Sequence, residues 1–284
     1  MSIDSQGGQL FVAALGNNTV EVVDVKHRKR IHTISGLHGP QGVLYVPTVN
    51  RLFVANGDDG TVRVFDGSSY AAIRTIPLGD DADNIRYGPE RHLIYVGYGS
   101  GGIAVLTADG TKIADIPLDA HPESFQVEKN GPCIFVNLPR SRKISVIDRE
   151  KHSVIADWGT DGATSNFPMA LDEPDHRAFV VCREPAKLLV LDTANGRVVG
   201  SLPAVGDSDD VFYDAALKRI YASGGEGAIS LFQQQDPDHY KEAARIPTVK
   251  GARTSFFSPD FHRLYVAARR QGSEPAAIRV YAAQ

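Results

Sequence analysis

The sequence predicts an all-β fold, a seven-bladed β-propeller with four-stranded antiparallel blades. Three observations predict it: an aromatic residue that recurs every 40 to 44 residues, two β-rich segments around a turn at each recurrence, and no sustained helical apolar period. We therefore expect one domain over residues 1–284. Its approximate blades are 1–36, 37–78, 79–119, 120–160, 161–204, 205–248 and 249–284.

The recurring aromatic residue, here called the anchor, lies in phrases such as "RLFVAN" and "LIYVGY". The seven anchors are Phe11, Phe53, Tyr95, Phe135, Phe179, Tyr221 and Tyr265. A polar or Gly-rich turn follows each anchor, and a second run such as "TVRVFD" or "KISVID" comes next. Val, Ile and aromatic residues alternating with small or polar ones are typical of half-buried strands. Each anchor region therefore predicts a hairpin.

Two further strands occupy the interval before the next anchor. "AAIRTIPLG" (71–79) illustrates the outer strand, and "NIRYGP" (84–89) the strand that opens the next unit. An Asp follows the anchor by 13 residues in four units, where a turn-forming residue ends the strand. These are Asp24, Asp66, Asp148 and Asp192. Four strands in a repeat of this length match one propeller blade.

The ends of the chain interrupt the repeat. The first unit begins inside its innermost strand, and the last unit stops after its third strand. We therefore expect the first and last blades to be incomplete within this chain. The pattern suggests a chain shortened at its N-terminus relative to a complete propeller.

Composition narrows the class of protein. Hydrophobic residues make up 42% and charged residues 23%, the balance of a soluble globular protein with a core. A net charge of −4 gives no case for nucleic acid or an anionic membrane as partner. We find neither an apolar run long enough for a membrane span nor a signal peptide in "MSIDSQGGQL". Cys133 and Cys182 are expected to be buried free thiols.

The phrases "LFVAN", "LYVAA" and "LFVAA", leading into "TVRVFD" or "TVEVVD", resemble the YVTN β-propeller repeat family. The resemblance covers nearly the whole chain and implies the seven-bladed fold. Members of the family are mostly bacterial or archaeal and are often exported. The resemblance therefore also implies a bacterial, secreted protein with a periplasmic or extracellular location. Related seven-bladed propellers include lactonases, electron-transfer subunits and cell-surface proteins, so fold analogy names no single reaction.

The repeat register also locates a candidate site. In a propeller the innermost strands converge on a central channel, and the loops that lead into them line one mouth, where ligands bind. The positions eleven and twelve residues before the anchors are rich in polar side chains, and His121 lies in the same loop as Glu123. The predicted ligand-binding residues are Gln41, Asp83, Asn84, His121, Glu123, Asp209, Asp210 and Arg253.

Several chemistries suit this set. Carboxylates brought together raise one another's pKa unless a cation or an arginine such as Arg253 neutralises them. Asp83, Glu123 and Asp210 would supply the oxygen ligands that a divalent cation such as Ca²⁺ prefers. His121 could act as an acid or base. A solvated polar channel without a ligand is the remaining alternative.

Two other patterns are interpreted as turns. "GYGSGG" (97–102) matches a dinucleotide-binding fingerprint, but it joins two antiparallel strands rather than a strand and a helix. His92, His176 and His262 each precede an anchor by three residues and are expected in exposed turns.

The leading functional hypothesis is a monomeric binding or interaction propeller that holds a small ligand or a protein partner at the channel mouth. No catalytic motif is recognisable, and whether the protein is an enzyme stays open. The alternative is a metal-assisted hydrolase or lyase of the lactonase kind that uses the acidic residues. A purely structural surface module is the third possibility.

Overall fold

The computed structural model describes residues 1–283, which consist almost entirely of strands. Short 3₁₀ turns occur at Leu15–Asn17, Pro47–Val49 and Pro139–Ser141. The strands in chain order are β1 (Ser2–Asp4), β2 (Gln9–Ala14), β3 (Thr19–Asp24), β4 (Lys29–Ile34), β5 (Pro40–Val46), β6 (Arg51–Asn56), β7 (Thr61–Asp66), β8 (Ala72–Pro77), β9 (Ile85–Gly88), β10 (Leu93–Tyr98), β11 (Gly102–Thr107), β12 (Lys112–Pro117), β13 (Phe125–Val127), β14 (Cys133–Leu138), β15 (Lys143–Asp148), β16 (Ser153–Gly159), β17 (Thr164–Asp172), β18 (Arg177–Glu184), β19 (Ala186–Asp192), β20 (Val198–Pro203), β21 (Ser208–Asp214), β22 (Arg219–Gly224), β23 (Ala228–Asp236), β24 (His239–Pro247), β25 (Ser255–Ser258), β26 (Arg263–Ala268) and β27 (Ala277–Ala282).

Consecutive strands pair into seven sheets, so the protein is an all-β, seven-bladed β-propeller, as the repeat predicts. The sheets are β1–β4, β5–β8, β9–β12, β13–β16, β17–β20, β21–β24 and β25–β27. Of the two sheets expected to be incomplete, the first has four strands, although β1 has only three residues. The last has three strands within the described residues.

The anchors explain why the repeat folds this way. Each anchor lies in the second strand of its sheet, and all seven are buried. Phe53 on β6 and Ile94 on β10 belong to one buried apolar cluster, so an anchor contributes to the core between neighbouring sheets. Burying an aromatic side chain of this size stabilises the fold by about 1.5–3 kcal/mol relative to leaving it exposed.

The turn before each anchor has a common backbone conformation. The residue three positions before the anchor has a φ between 48° and 67° in six of the seven sheets. These residues are Gly8, Asn50, His92, His176, Lys218 and His262. The left-handed region allows the tight reversal between the first two strands. The prediction that the three histidines lie in exposed turns is confirmed.

The recurrent Asp at the end of the third strand also has a structural role. Asp66 accepts hydrogen bonds from the backbone N–H groups of Ser69 and Ser68 in the following turn. Asp148 does the same in its own turn, and the Lys151 ammonium beside it lowers the pKa of Asp148 to about 2. Such side-chain bonds replace the backbone hydrogen bonds of the sheet where the chain reverses. An Asp therefore recurs 13 residues after the anchor, at the end of the third strand.

The outer strands share an irregularity. The register shifts by one residue in β4, β8 and β12, and each extra residue is an exposed isoleucine: Ile31, Ile73 or Ile113. A bulge of this kind bends and twists an edge strand. It therefore disfavours pairing of the exposed edge with a strand of another molecule.

The chain divides into two compact units. Unit 1 comprises Met1–Glu123, Lys129–Ile134 and Ile147–Val154. Unit 2 comprises Ser124–Glu128, Phe135–Val146 and Ile155–Gln284. In each unit the core consists of apolar clusters between neighbouring sheets. No helix among residues 1–283 has both the length and the apolar character needed to cross a membrane.

Candidate binding site

The predicted site residues lie at or beside the inner loops, the segments that join the last strand of one sheet to the first strand of the next. Five belong to unit 1: Gln41, Asp83, Asn84, His121 and Glu123. Three belong to unit 2: Asp209, Asp210 and Arg253. Each unit therefore has a candidate cluster of its own.

In unit 1 the loop 78–84 is held against the turn between β10 and β11. The Asp83 N–H donates to the Gly97 carbonyl at 2.9 Å, and the Gly97 N–H donates to the Asn84 carbonyl at 2.9 Å. The Gly99 N–H donates to the Asp80 carbonyl at 2.9 Å. The sequence "GYGSGG" is thus a hairpin turn, as predicted, and it also supports the candidate site.

A glycine on β5 permits the close approach of this loop. A Cβ atom at Gly42 would lie 2.1 Å from the Asp83 carbonyl oxygen, which is far inside van der Waals contact. Only a residue without a side chain fits at this position. Gly42 therefore helps to set where Asp83 lies relative to the neighbouring sheet.

His121 is the most buried of the predicted residues in unit 1, with 9% of its surface exposed. Its Nδ1–H donates to the Gly99 carbonyl at 2.6 Å, and Nδ1 lies 3.7 Å from Asp81 Oδ2. Its Nε2 lies 4.0 Å from Asp83 Oδ2. Both ring nitrogens therefore face acceptors, the environment that an imidazolium requires.

The pKa of His121 rises from 6.5 to about 9. Asp83 is the main cause, and the Gly99 carbonyl and the charges of Asp81 and Glu123 add to it. Together they outweigh burial, which lowers the pKa of a histidine. His121 is consequently positively charged at neutral pH.

Gln41 extends this group from β5. Its Nε2 donates to Asp81 Oδ1 at 3.0 Å. A Cβ atom at Gly57 would lie 2.2 Å from the same Nε2, so a glycine there gives the amide room. We call Gln41, Asp81, Asp83, His121 and Glu123 the His121 cluster.

The His121 cluster has an excess of negative charge. Asp81 and Asp83 alone carry one charge more than the imidazolium, and the negative charge of Glu123 also raises the pKa of His121. The fifth predicted residue of unit 1, Asn84, is engaged outside the cluster. Its side-chain oxygen accepts from Arg86 Nη2 at 3.4 Å.

In unit 2 two arginines and two aspartates contact one another, and we call them the arginine–aspartate cluster. Arg253 Nη1 donates to Asp207 Oδ1 at 2.8 Å, and Arg253 Nε lies 3.3 Å from Asp209 Oδ2. Arg183 Nη2 donates to Asp209 Oδ1 at 2.8 Å, and Arg183 Nη1 lies 3.4 Å from Asp207 Oδ1. Each arginine therefore contacts both carboxylates, and the four charges balance.

The position of Arg183 is fixed by its surroundings. Its guanidinium carbon lies 3.8 Å from the centre of the Phe167 ring, a cation–π contact. Its Nε donates to the Ser208 carbonyl at 2.9 Å. Asp210 is engaged elsewhere, because its Oδ2 accepts the backbone N–H of Ser255 at 2.7 Å and so links β21 to β25.

Sequence reasoning missed three members of these clusters, Asp81, Arg183 and Asp207, and one backbone partner, Gly99. Asp81 and Gly99 complete the surroundings of His121, and Arg183 and Asp207 complete the unit 2 cluster. The sequence feature that could have identified two of them is proximity, because Asp81 and Asp207 each precede a predicted aspartate by two residues. Both also have a left-handed φ, which places their side chains in a turn.

Metal binding by Asp83, Glu123 and Asp210 stays a prediction. Asp83 and Glu123 belong to unit 1 and Asp210 to unit 2. Over residues 1–283 no group of three or more His, Cys, Asp or Glu side chains has an arrangement suited to a metal ion.

Comparison with known proteins supports the fold. The protein is structurally similar to a chain of the Kuenenia stuttgartiensis hydrazine synthase, with a TM-score of 0.84 and 18% identity over 100% of this chain and 95% of that one. The WD40 repeats of RRP9 match with a TM-score of 0.82 and 12% identity, over 98% and 91% of the two chains. A chain of the mitotic checkpoint complex matches with a TM-score of 0.81 and 16% identity, over 99% and 86%.

The class of protein is thus the seven-bladed β-propeller. No family model matches the chain, and no curated protein matches it. The resemblance to the YVTN repeat family, with the bacterial source and the exported location that it implies, accordingly stays a prediction.

Proposed function

We propose that this protein is a binding propeller and that the His121 cluster holds a positively charged group of a small ligand or of a partner protein. The observation that carries the proposal is the environment of His121. A largely buried imidazole with a pKa of about 9 faces Asp81 and Asp83 within 4.0 Å, and Glu123 adds to the negative potential. The single charge of the imidazolium does not balance the two carboxylates of Asp81 and Asp83, so a further cation is favoured there.

The ligand chemistry follows from the donor set. Carboxylates accept hydrogen bonds from ammonium and guanidinium groups, and these charge-assisted bonds are stronger than neutral ones. Carboxylates are also oxygen ligands for Ca²⁺. A cationic organic group is therefore the proposed ligand chemistry, and Ca²⁺ serves as the comparison probe because no group of side chains suited to a metal ion is found over residues 1–283.

The fold supports a binding role in general terms. Loops that lead into the inner strands of a propeller are free of the packing demands on the strands. One structurally similar chain belongs to an assembly, the mitotic checkpoint complex. The arginine–aspartate cluster has balanced charge and serves, in this proposal, to hold the inner loops of unit 2 in place.

Titration followed by NMR tests the proposal. Argininamide and CaCl₂ are added separately to the ¹⁵N-labelled protein, and backbone shifts in loops 78–84 and 118–124 are recorded. We expect argininamide to shift these loops saturably and to bind about tenfold or more weakly to D83N/E123Q, because each charge-assisted bond contributes about 1.5–3 kcal/mol.

The control variant D58N/E150Q also removes two carboxylates from unit 1, at exposed positions outside the His121 cluster. It should bind the same probe as the wild type does. Shifts that occur elsewhere, or equal weakening in both variants, would contradict the proposal.

A further inference from the structure

The most basic segment of the chain lies on the outer side of the first sheet. Residues 26–32 read "KHRKRIH" and form the turn after β3 and the start of β4. All seven are exposed. We call Lys26, Arg28, Lys29, Arg30 and Ile31 the basic patch.

Most of the positive charge in the basic patch is available to a partner. Arg30 Nη1 lies 3.3 Å from Glu21 Oε2. Within residues 1–283 the side chains of Lys26, Arg28 and Lys29 make no ion pair. The nearby Asp24 is already bonded to His27 at 2.7 Å.

The basic patch exceeds what protection of an edge strand requires. Lysine on an edge strand disfavours unwanted strand pairing. The equivalent segments of the next two sheets, 68–74 and 108–114, contain one cation each, Arg74 and Lys112. Their bulges are the same as that of β4, so the three additional cations of the first sheet need another explanation.

The rest of the chain indicates the size of the partner. Because the whole chain has a net charge of −4 and residues 26–30 contribute +4, the rest of the chain carries −8. A long polyanion such as a nucleic acid would meet this negative surface as well as the basic patch. A short acidic segment contacts the patch alone.

An apolar side chain adjoins the cations. Ile31 is 43% exposed and stands at the bulge of β4. The phosphate backbone of a nucleic acid has no apolar group to pack against Ile31. A peptide with an apolar residue among its acidic residues does have one. We therefore infer that the basic patch is a docking surface for a short acidic segment of a partner protein that contains an apolar side chain.

Because β4 is bulged at Ile31, the segment docks by its side chains and does not extend the sheet. The contact relies on charge, so it weakens as salt is added. This inference does not depend on the His121 cluster, which involves other residues and the opposite charge.

Fluorescence anisotropy with a labelled peptide, Glu-Glu-Leu-Glu-Glu-Leu-Glu-Glu, tests the inference. We expect salt-dependent binding that falls about tenfold or more in K26E/R28E/K29E, since several charged contacts are lost and replaced by repulsion. The control K241E/R269E/R270E makes the same change in net charge at exposed positions of unit 2 and should bind within about twofold of the wild type. Circular dichroism confirms that both variants are folded.

Two further binding experiments distinguish an acidic peptide from a nucleic acid and from a membrane as the partner. A labelled 20-nucleotide single-stranded RNA and vesicles containing phosphatidylserine are tested in the same buffer. Ile31→Ser should weaken peptide binding and leave RNA binding unchanged. Equal peptide binding by K26E/R28E/K29E and the wild type, or tighter binding of RNA or vesicles than of the peptide, would overturn the inference.

Discussion

The Nδ1–H of His121 donates to the Gly99 carbonyl at 2.6 Å, and this bond links loop 118–124 to the turn between β10 and β11. The bond also fixes the orientation of the imidazole. With Nδ1 directed to Gly99, Nε2 lies 4.0 Å from Asp83 Oδ2. One backbone carbonyl therefore helps to determine both the charge of His121 and the carboxylate that it faces.

The stability of the protein should decrease at alkaline pH because of His121. Its pKa is about 9 in the folded protein, against an ordinary value of 6.5. The stabilisation is therefore fully present below pH 6.5 and is lost as the pH rises through 9. The corresponding contribution is on the order of 3 kcal/mol.

Urea unfolding at about pH 6 and about pH 9.5 measures this effect. The loss of unfolding free energy at the higher pH should be smaller in His121→Gln than in the wild type. The exposed turn variant His262→Asn should retain the wild-type difference. If His121→Gln retains it as well, His121 does not cause the pH dependence.

Gly42→Ala should destabilise the protein by about 1–3 kcal/mol, the usual cost of an overpacked contact. The added Cβ would lie 2.1 Å from the Asp83 carbonyl oxygen, so the Asp83 loop has to move. Gly16→Ala is the matched control, because nothing lies within 4 Å of its added Cβ. Thermal unfolding of both variants is the measurement, and equal midpoints would show that the close approach at Gly42 is absent.

Arg183 and Asp209 should be energetically coupled. Their side chains are 20% and 33% exposed, and a double-mutant cycle with alanine should give about 1 kcal/mol. The pair Arg245 and Glu226, at 2.7 Å but 49% and 55% exposed, should give less than about 0.5 kcal/mol. A coupling for Arg183 and Asp209 no larger than that of the exposed pair would argue against a cooperative cluster.

The two free cysteines should differ in reactivity. Cys182 is buried, and burial raises the pKa of its thiol to about 12, whereas Cys133 is only half-buried. Because the thiolate is the reactive species, Cys182 should resist iodoacetamide at about pH 8 in the folded protein. Peptide mass spectrometry with and without denaturant checks this. Labelling of Cys182 in the folded protein at its denatured rate would be inconsistent with its burial.

The fold could be predicted because it depends on periodicity. Anchors such as Phe53 and Tyr95 recur at a nearly constant interval because each sheet buries an aromatic residue at the same position of its second strand. Bulges could not be predicted in this way. The extra residue at Ile31 or Ile73 is an isoleucine, a residue type common in regular strands, so its identity does not mark the bulge.

The candidate site could be predicted only in part. Counting back from the anchors finds residues at equivalent positions of successive repeats, such as Asp83 and Asp209, which each precede an anchor by twelve residues. It cannot find Arg183, which reaches Asp209 from the end of another strand, or a backbone carbonyl such as that of Gly99. Net charge likewise averages over the chain, so it conceals a local run such as residues 26–30.

The most direct test of the proposed site is the pKa of His121, measured by NMR of its ¹³C- and ¹⁵N-labelled imidazole ring between about pH 5 and about pH 10. We expect a pKa of about 9 in the wild type. In D83N/E123Q the pKa should shift back toward the ordinary value, because the main carboxylate partner and its acidic neighbour have lost their charge. A wild-type pKa at or below 6.5, or one that does not change in D83N/E123Q, would contradict the proposed role of the His121 cluster.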